Sequence, residues 1–367
     1  MKQKQIVIDA RESGTTTGRY VDKLIEYLHK LKPKHNLVIL TRAGRVDFMK
    51  EIAPSFEIVT CRYKEFTFAE QIGLLRQVRG LKPDLVHFAM VQQPILYRGK
   101  VVTTMNDLTT IRFSNPLKNP IVFYLKQQIY KFVNYVVAHK SAQILTYTQF
   151  VKEDVAKFAR INSRKITVTH LAADKIKDAP ESMPELANKR FLLYVGRPQT
   201  HKNLDRLVET FELLRQEYPE LRLVLAGKKD RLFKQLEKRT IHAGIKNVVF
   251  TDFVTEGQLR WLYENCAVYV FPSLSEGFGL PGLEAMIHGA PVVSSNATCL
   301  PEVYKDAAQY FDPLVIEDMA NAIKNVLDNP TRRQTLVTRG YAVAEKYSWQ
   351  NTAQKTLDVY NDVLSGS

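Results

Sequence analysis

Short apolar runs alternate with amphipathic segments from one end of the chain to the other, an order that points to parallel sheets with crossover helices and so to the α/β class. In the first half the strand signals fall at 5–9, 37–40, 56–60, 84–88, 101–104 and 143–146. Val21, Leu24, Ile25 and Leu28 recur at helical spacing between the first two and give that crossover one apolar face. A passage rich in Lys, Asp, Pro and Glu at 174–190 interrupts the pattern and reads as a linker. The alternation then restarts with runs at 191–195, 221–226, 248–250, 268–271 and 291–294. A last helix, 349–364, follows the start signal Ser348 and sets Ala353, Leu357, Val359, Tyr360 and Val363 along it. With 367 residues the chain exceeds one ordinary domain, and the expected division is 1–172, 173–346 and a closing segment 347–367.

Apolar content of 45% with 25% charged residues and no apolar run long enough to span a bilayer describes a soluble globular chain. The opening residues enter a strand at once and lack a secretory signal, so the expectation is cytoplasmic. Cys61, Cys266 and Cys299 are far apart, form no CxxC pair, and read as buried or half-buried thiols. The net charge of +14 is concentrated in one half: residues 1–170 carry 28 Lys and Arg against 13 Asp and Glu, and the rest carries 24 against 25. Such an imbalance suits an anionic partner, whether a membrane surface, a phosphorylated acceptor or nucleic acid, and equally a merely soluble basic surface. The aromatic and basic stretch 119–141 has two readings, an ordinary core helix or one that lies against an anionic membrane.

Two loops carry the chemistry. The string Ser273 to Met286 follows a buried strand and contains Glu276, Gly277, Phe278, Gly279, Leu280, Pro281 and Glu284. Its glycines permit a tight turn and Pro281 suits the first turn of a helix, so free N–H groups face an anionic or hydroxylated ligand. Glu284, placed in that first turn, is able to accept two hydrogen bonds from a vicinal diol such as ribose, and Glu276 from sugar hydroxyls. The second loop, 196–203, lies between the run 191–195 and an amphipathic helix. Arg197 supplies a bidentate fork and Lys202 a point charge, the pair expected where a diphosphate is gripped at the carboxyl end of a parallel strand.

These residues resemble the retaining glycosyltransferases of family four, whose E-x7-E motif matches Glu276 to Glu284 and whose G-R-x4-K-N element matches Gly196 to Asn203. The likeness extends to the run 291–294 with Leu300-Pro301-Glu302-Val303 and to Tyr347-Ser348-Trp349. It implies a GT-B fold of two Rossmann-like domains with parallel sheets facing across a cleft, the last helix crossing back onto the N-terminal, acceptor-binding domain. It further implies that Arg197 and Lys202 hold the diphosphate of a UDP- or GDP-sugar, Glu284 the ribose, and Glu276 with Gly277, Phe278, Gly279 and Leu280 the hexose. Thr251 to Val254, including Phe253 and Val254, in the F-x-G-x-V place, would line the base pocket, although Asp252 replaces the glycine there; Gly227 and Lys228 are further candidates for that pocket. Gly14 and Gly18 resemble the family's glycine-rich first loop, which approaches donor and acceptor.

One departure bears on catalysis. Asn106, followed by Asp107, stands where relatives of this family usually carry histidine. An amide donates and accepts hydrogen bonds but takes no proton. Two readings stay open: a weakened or inactive sugar-nucleotide-binding protein, or a residue that only binds sugar hydroxyls while the leaving phosphate receives the acceptor's proton. His87 and His170 read as structural histidines at strand ends. No two Asp residues stand two positions apart and no Cys/His cluster occurs, so positive side chains are expected in place of a metal and no cofactor is called for beyond the nucleotide sugar. The acceptor is expected to be a sugar, a lipid-linked saccharide or a polyol. Nucleic acid is not, since no RNP-like aromatic motif or zinc knuckle is present. Nor is an oxidoreductase, since the first loop is not GxGxxG.

Overall fold

A computed structural model describes residues 3–15, 17–65, 67–113 and 119–366. By their contacts these form two units, one of 1–111, 124–171 and 348–367, the other of 112–123 and 172–347. The first holds a seven-stranded sheet of β1 (Gln5–Asp9), β2 (Asn36–Thr41), β3 (Glu57–Thr60), β4 (Leu85–Phe88), β5 (Val101–Thr104), β6 (Gln143–Thr146) and β7 (Ile166–Val168) in the order β3-β2-β1-β4-β5-β6-β7. The second holds β8 (Phe191–Val195), β9 (Arg222–Ala226), β10 (Val248–Phe250), β11 (Val268–Phe271), β12 (Val292–Ser295) and β13 (Ala308–Phe311) in the order β10-β9-β8-β11-β12-β13. Every pairing is parallel.

Parallel strands covered by helices on both faces are buried on both, which is why β1 reads as a continuous apolar run with Ile6, Val7 and Ile8 all enclosed. Each enclosed side chain of this size contributes about 1.5–3 kcal/mol relative to exposure. β7 and β13, which the sequence pattern does not announce, are short edge strands with half-buried residues, so neither has the apolar run that marks a central strand. β4 begins at Leu85, and Asp84 just before it ties the strand to β1, its N–H donating to Gln5 O and its carboxylate accepting from Gln5 N and Lys4 Nζ, at 2.9 Å each.

Both sheets reverse winding direction once, between β1 and β4 and between β8 and β11. At such a reversal the two adjoining loops leave in opposite directions and open a crevice beyond the carboxyl ends of the strands. The loops that carry Gly14 and Gly18, 196–203 and 273–286 leave β1, β8 and β11 at these reversals, whereas Asn106 follows β5, Gly227 and Lys228 follow β9, and Phe253 and Val254 follow β10.

The last helix, Trp349–Ser365, begins where Ser348 Oγ accepts from Asn351 N at 3.2 Å, and it belongs to the first unit. Its Tyr360 hydroxyl meets His87 Nδ1 at 2.6 Å, and His87 Nε2 meets Thr104 Oγ1 at 2.8 Å. Burial pushes the imidazole pKa down to about 3, so His87 is a neutral, structural residue. The main-chain oxygen of His170 accepts from Thr352.

The passage 174–190 is no free tether. It is pinned along the second unit, where Ile176 N donates to His288 Nε2 at 3.1 Å and Glu181 N to Gly257 O at 3.0 Å. Of the stretch 112–123, the described residues 112–113 and 119–123 depart from a contiguous division by grouping with the second unit, where the Phe113 ring sits 5.7 Å from that of His201. All three cysteines are buried and unbridged.

Candidate functional site

In the second unit, β8 runs into Gly196, whose φ of +148° sits where a Cβ would meet the Tyr194 hydroxyl at 2.8 Å. Beside it, a Cβ on Gly227 would lie 2.4 Å from Gly196 O, so the ends of β8 and β9 approach too closely for any side chain at 227. The chain then makes a turn at Thr200–Lys202, and Asn203, at φ +60°, opens the helix Leu204–Arg215. Asn203 is buried and its amide donates to Pro272 O at 3.1 Å and Pro313 O at 2.8 Å, while Leu274 N donates to His201 O at 2.7 Å. The loops leaving β8 and β11 are thereby stitched together at the sheet's point of reversal.

Across that seam Lys202 Nζ stands 2.5 Å from Glu276 Oε1, with the two side chains only 17% and 12% exposed. Glu276 is held from behind: its N–H donates to Thr298 Oγ1 at 3.1 Å and its carbonyl accepts from Cys299 Sγ at 3.2 Å. Gly277 and Phe278 follow, Phe278 being buried edge-on against Tyr347. Gly279, at φ +88°, ends the loop, and its carbonyl accepts from the buried Tyr304 hydroxyl at 2.5 Å. The same hydroxyl fills the space a Cβ on Gly282 would need, at 2.2 Å. Tyr304 is thus the reason for two glycines, a role no sequence spacing signals.

The helix that follows is Leu280–Ile287, so Glu284 is not in its first turn. The left-handed Gly279 starts the helix at Leu280 and puts Pro281 second, which moves Glu284 one turn in. There Glu284 lies within 3.5 Å of the Tyr263 hydroxyl, and its own carbonyl faces His288 Nδ1 at 2.7 Å.

Arg197 does not join the Lys202–Glu276 pair. Its side chain is 57% exposed and reaches Asp230 Oδ2 at 3.4 Å. Lys228 is exposed, Phe253 is 84% exposed and Val254 is half-buried, following the ends of β9 and β10. Asp252, the departure from the glycine pattern, serves the adjacent loop. Its carboxylate accepts from Lys229 N at 3.0 Å, and that bond holds its pKa below the ordinary carboxylate value.

In the first unit, the loop after β1 contains Gly14 and Gly18; Thr16 lies outside the described residues. Gly14 adopts φ +78°, and a Cβ on Gly18 would fall 1.9 Å from Glu12 O, so both glycines have steric reasons. The loop is anchored by Arg11, wholly buried, which meets Asp9 Oδ2 at 2.7 Å and Glu70 Oε1 at 2.8 Å. Burial opposes the guanidinium charge, and the two carboxylates more than reverse that, so the Arg11 pKa ends above its ordinary value. Beyond β5, the Tyr147 hydroxyl donates to Asn106 Oδ1 at 2.8 Å, and Asp107 Oδ1 accepts from Thr109 N at 2.8 Å. Burial holds the Tyr147 pKa well above its ordinary value, so the hydroxyl remains a donor. The Asn106 oxygen is committed to Tyr147, which leaves its NH2 as the group it offers outward. Nothing in the spacing of 106 and 147 announces this pairing.

Solved structures share this architecture. Sucrose-phosphate synthase from Thermosynechococcus elongatus matches with a TM-score of 0.77 over 100% of both chains at 17% identity. Anabaena Alr3699/HepE in complex with UDP matches at 0.73, covering 98% of this chain and 100% of that one at 15% identity. The fold is GT-B, that of a large class of glycosyltransferases. The sequence agrees: residues 176–343 match the model for glycosyl transferases group 1, and residues 17–175 that for glycosyltransferase family 4. O-antigen chain mannosyltransferase B of Escherichia coli is 31% identical over an alignment of 377 positions, covering 94% of this chain and 96% of that protein. The chain belongs to the family-four glycosyltransferases.

Proposed function

We propose that this glycosyltransferase moves a hexose from a UDP- or GDP-sugar to a sugar or lipid-linked acceptor in envelope polysaccharide synthesis, at the inner face of the membrane and with retention of anomeric configuration. The observation that carries the reading is the Lys202–Glu276 pair at the reversal between β8 and β11. The name of the Escherichia coli relative favours mannose as the hexose.

In this reading Lys202 and Arg197 take the donor diphosphate and stand in for a metal, since two fixed cations offset the charge that grows on the leaving group. Glu284 accepts from the ribose diol. Glu276 and the N–H groups of Gly277, Phe278 and Gly279 bind the hexose hydroxyls. Phe253 and Val254, with Gly227 and Lys228, border the base. The bond from C1 to the diphosphate oxygen breaks, the acceptor oxygen bonds to C1, and the acceptor's proton passes to the departing phosphate. No side-chain base is needed for that balance, so Asn106 is compatible with turnover.

The test of the donor site is a thermal-shift panel of UDP, GDP, ADP and their hexose conjugates. A ligand bound only by the folded state raises the midpoint, by about 5 °C or more at a hundredfold excess over Kd. The rise is expected with one nucleotide series and is expected to vanish in Glu284→Ala. No rise with any nucleotide overturns the reading.

Asn106 separates an active enzyme from a binding protein. In Asn106→Asp the oxygen facing Tyr147 is kept and the NH2 donor is lost. The expected result is a kcat reduced about tenfold to a hundredfold with donor affinity little changed. A wild-type protein that binds donor tightly but turns over no acceptor would favour the sugar-nucleotide-binding alternative.

A further inference from the structure

We infer that the outward face of the helix Pro120–Lys140 is a docking surface for an anionic lipid bilayer. The inference deepens the proposed function by naming the surface that would bring the enzyme to a lipid-linked acceptor.

A helix advances about 100° per residue. On that wheel Ile121, Leu125, Ile129, Phe132 and Tyr135 fall on one side, and Val122 and Tyr124 widen the arc to about 160°. Each of these side chains is exposed, Ile121 at 72% and Phe132 at 60%. The opposite side holds Asn134, Val137 and Ala138, all buried, the last two in the core beneath. The helix is therefore amphipathic with its larger apolar side chains turned the wrong way for a protein in water alone. Scattered apolar residues on a surface are ordinary, whereas a continuous stripe of them marks a partner.

Charge identifies that partner. From 108 to 152 the chain has no Asp or Glu, yet it carries Arg112, Lys118, Lys126, Lys131, Lys140 and Lys152. Lys126 and Lys131 fall on the two margins of the apolar arc, where a lysine stem lies along hydrocarbon while its ammonium reaches the headgroups. Apolar centre and basic margins describe a helix lying in the plane of a bilayer's interface and drawn to anionic lipid. A second copy of the chain is the poorer occupant, because like faces would bring the lysine margins of one copy against those of the other. The contact is peripheral, since among the described residues no helix is long and apolar enough to cross a membrane. The neighbouring loop adds to the surface: Lys140 Nζ donates to Pro94 O at 2.7 Å, and Leu96 beyond it is 66% exposed.

The test is flotation of the full chain with vesicles of phosphatidylcholine alone or mixed with phosphatidylglycerol. Binding is expected only with the anionic mixture, falling as salt rises. The double variant Ile129→Glu/Phe132→Glu is expected to lower the partition coefficient about tenfold or more, and Lys126→Glu/Lys131→Glu by a similar factor. Because Lys126, Ile129 and Phe132 are exposed and Lys131 is only half-buried, both variants should keep the wild-type melting midpoint and nucleotide-induced shift. That control separates loss of docking from loss of the donor site or of the fold. Absence of vesicle binding by the folded wild type overturns the inference, as does binding that both variants leave intact. A dimer that Ile129→Glu/Phe132→Glu dissociates, seen by light scattering without any vesicle binding, would overturn it in favour of self-association.

Discussion

Replacing Lys202 by alanine is expected to lower kcat/KM by about a hundredfold to a thousandfold, the loss that follows when a fixed charge aimed at a developing anion is removed. The ammonium sits at the seam between two loops that Asn203 and the His201–Leu274 bond tie together, so under the proposed function it would need little reorganisation to meet a leaving diphosphate. Part of any loss would come from leaving the half-hidden Glu276 carboxylate without its partner. Lys202→Arg keeps the charge while altering its shape, and is expected to retain more activity than Lys202→Ala at an equal melting midpoint. Steady-state kinetics at saturating acceptor decides the matter. A value for Lys202→Ala within about threefold of wild type would remove Lys202 from the transition state.

The largest stability effect is expected at Arg11. Arg11→Met removes the cation that meets both the Asp9 and the Glu70 carboxylates, each of them enclosed. Removing one partner from a buried ionic cluster costs about 3–5 kcal/mol. At about 2–4 °C per kcal/mol for a unit of this size, the midpoint of the first unit should fall by about 6–20 °C. Adding Glu70→Gln to the same chain should recover part of that loss, because one of the stranded charges is then gone. Calorimetry of the single and double variants measures both numbers. A midpoint unchanged in Arg11→Met would show that the cluster contributes nothing net.

The sheets were legible in the sequence because a buried parallel strand has to be apolar on both faces, and β1, β8 and β11 show that directly. β7 and β13 were hidden because each is short and only partly buried, three residues directly after a turn in β7 and a glutamine among the four of β13, although the other two edge strands, β3 and β10, did show apolar runs. The loops 196–203 and 273–286 were visible because glycine, proline and charge occur there at turns that few other residues tolerate. What holds those loops was not. Tyr304 beneath Gly279, Thr298 behind Glu276 and Tyr147 on Asn106 act over chain separations that no local pattern encodes. Glu284 shows the smaller error of the same kind, where one glycine's φ shifts a helix start and with it a side chain's place.

The return of the helix Trp349–Ser365 to the first unit has a bearing on the order of synthesis. The second unit is built from residues that have all been translated by Tyr347. The first unit, although most of it is made earlier, cannot close over His87 or cover the helix Arg19–Leu31 until Trp349 and Tyr360 have been added. On the ribosome, where domains commonly mature in the order of their sequence, this chain is constrained to the reverse. The unit with the seven-stranded sheet remains unfinished while the unit with the six-stranded sheet is already whole.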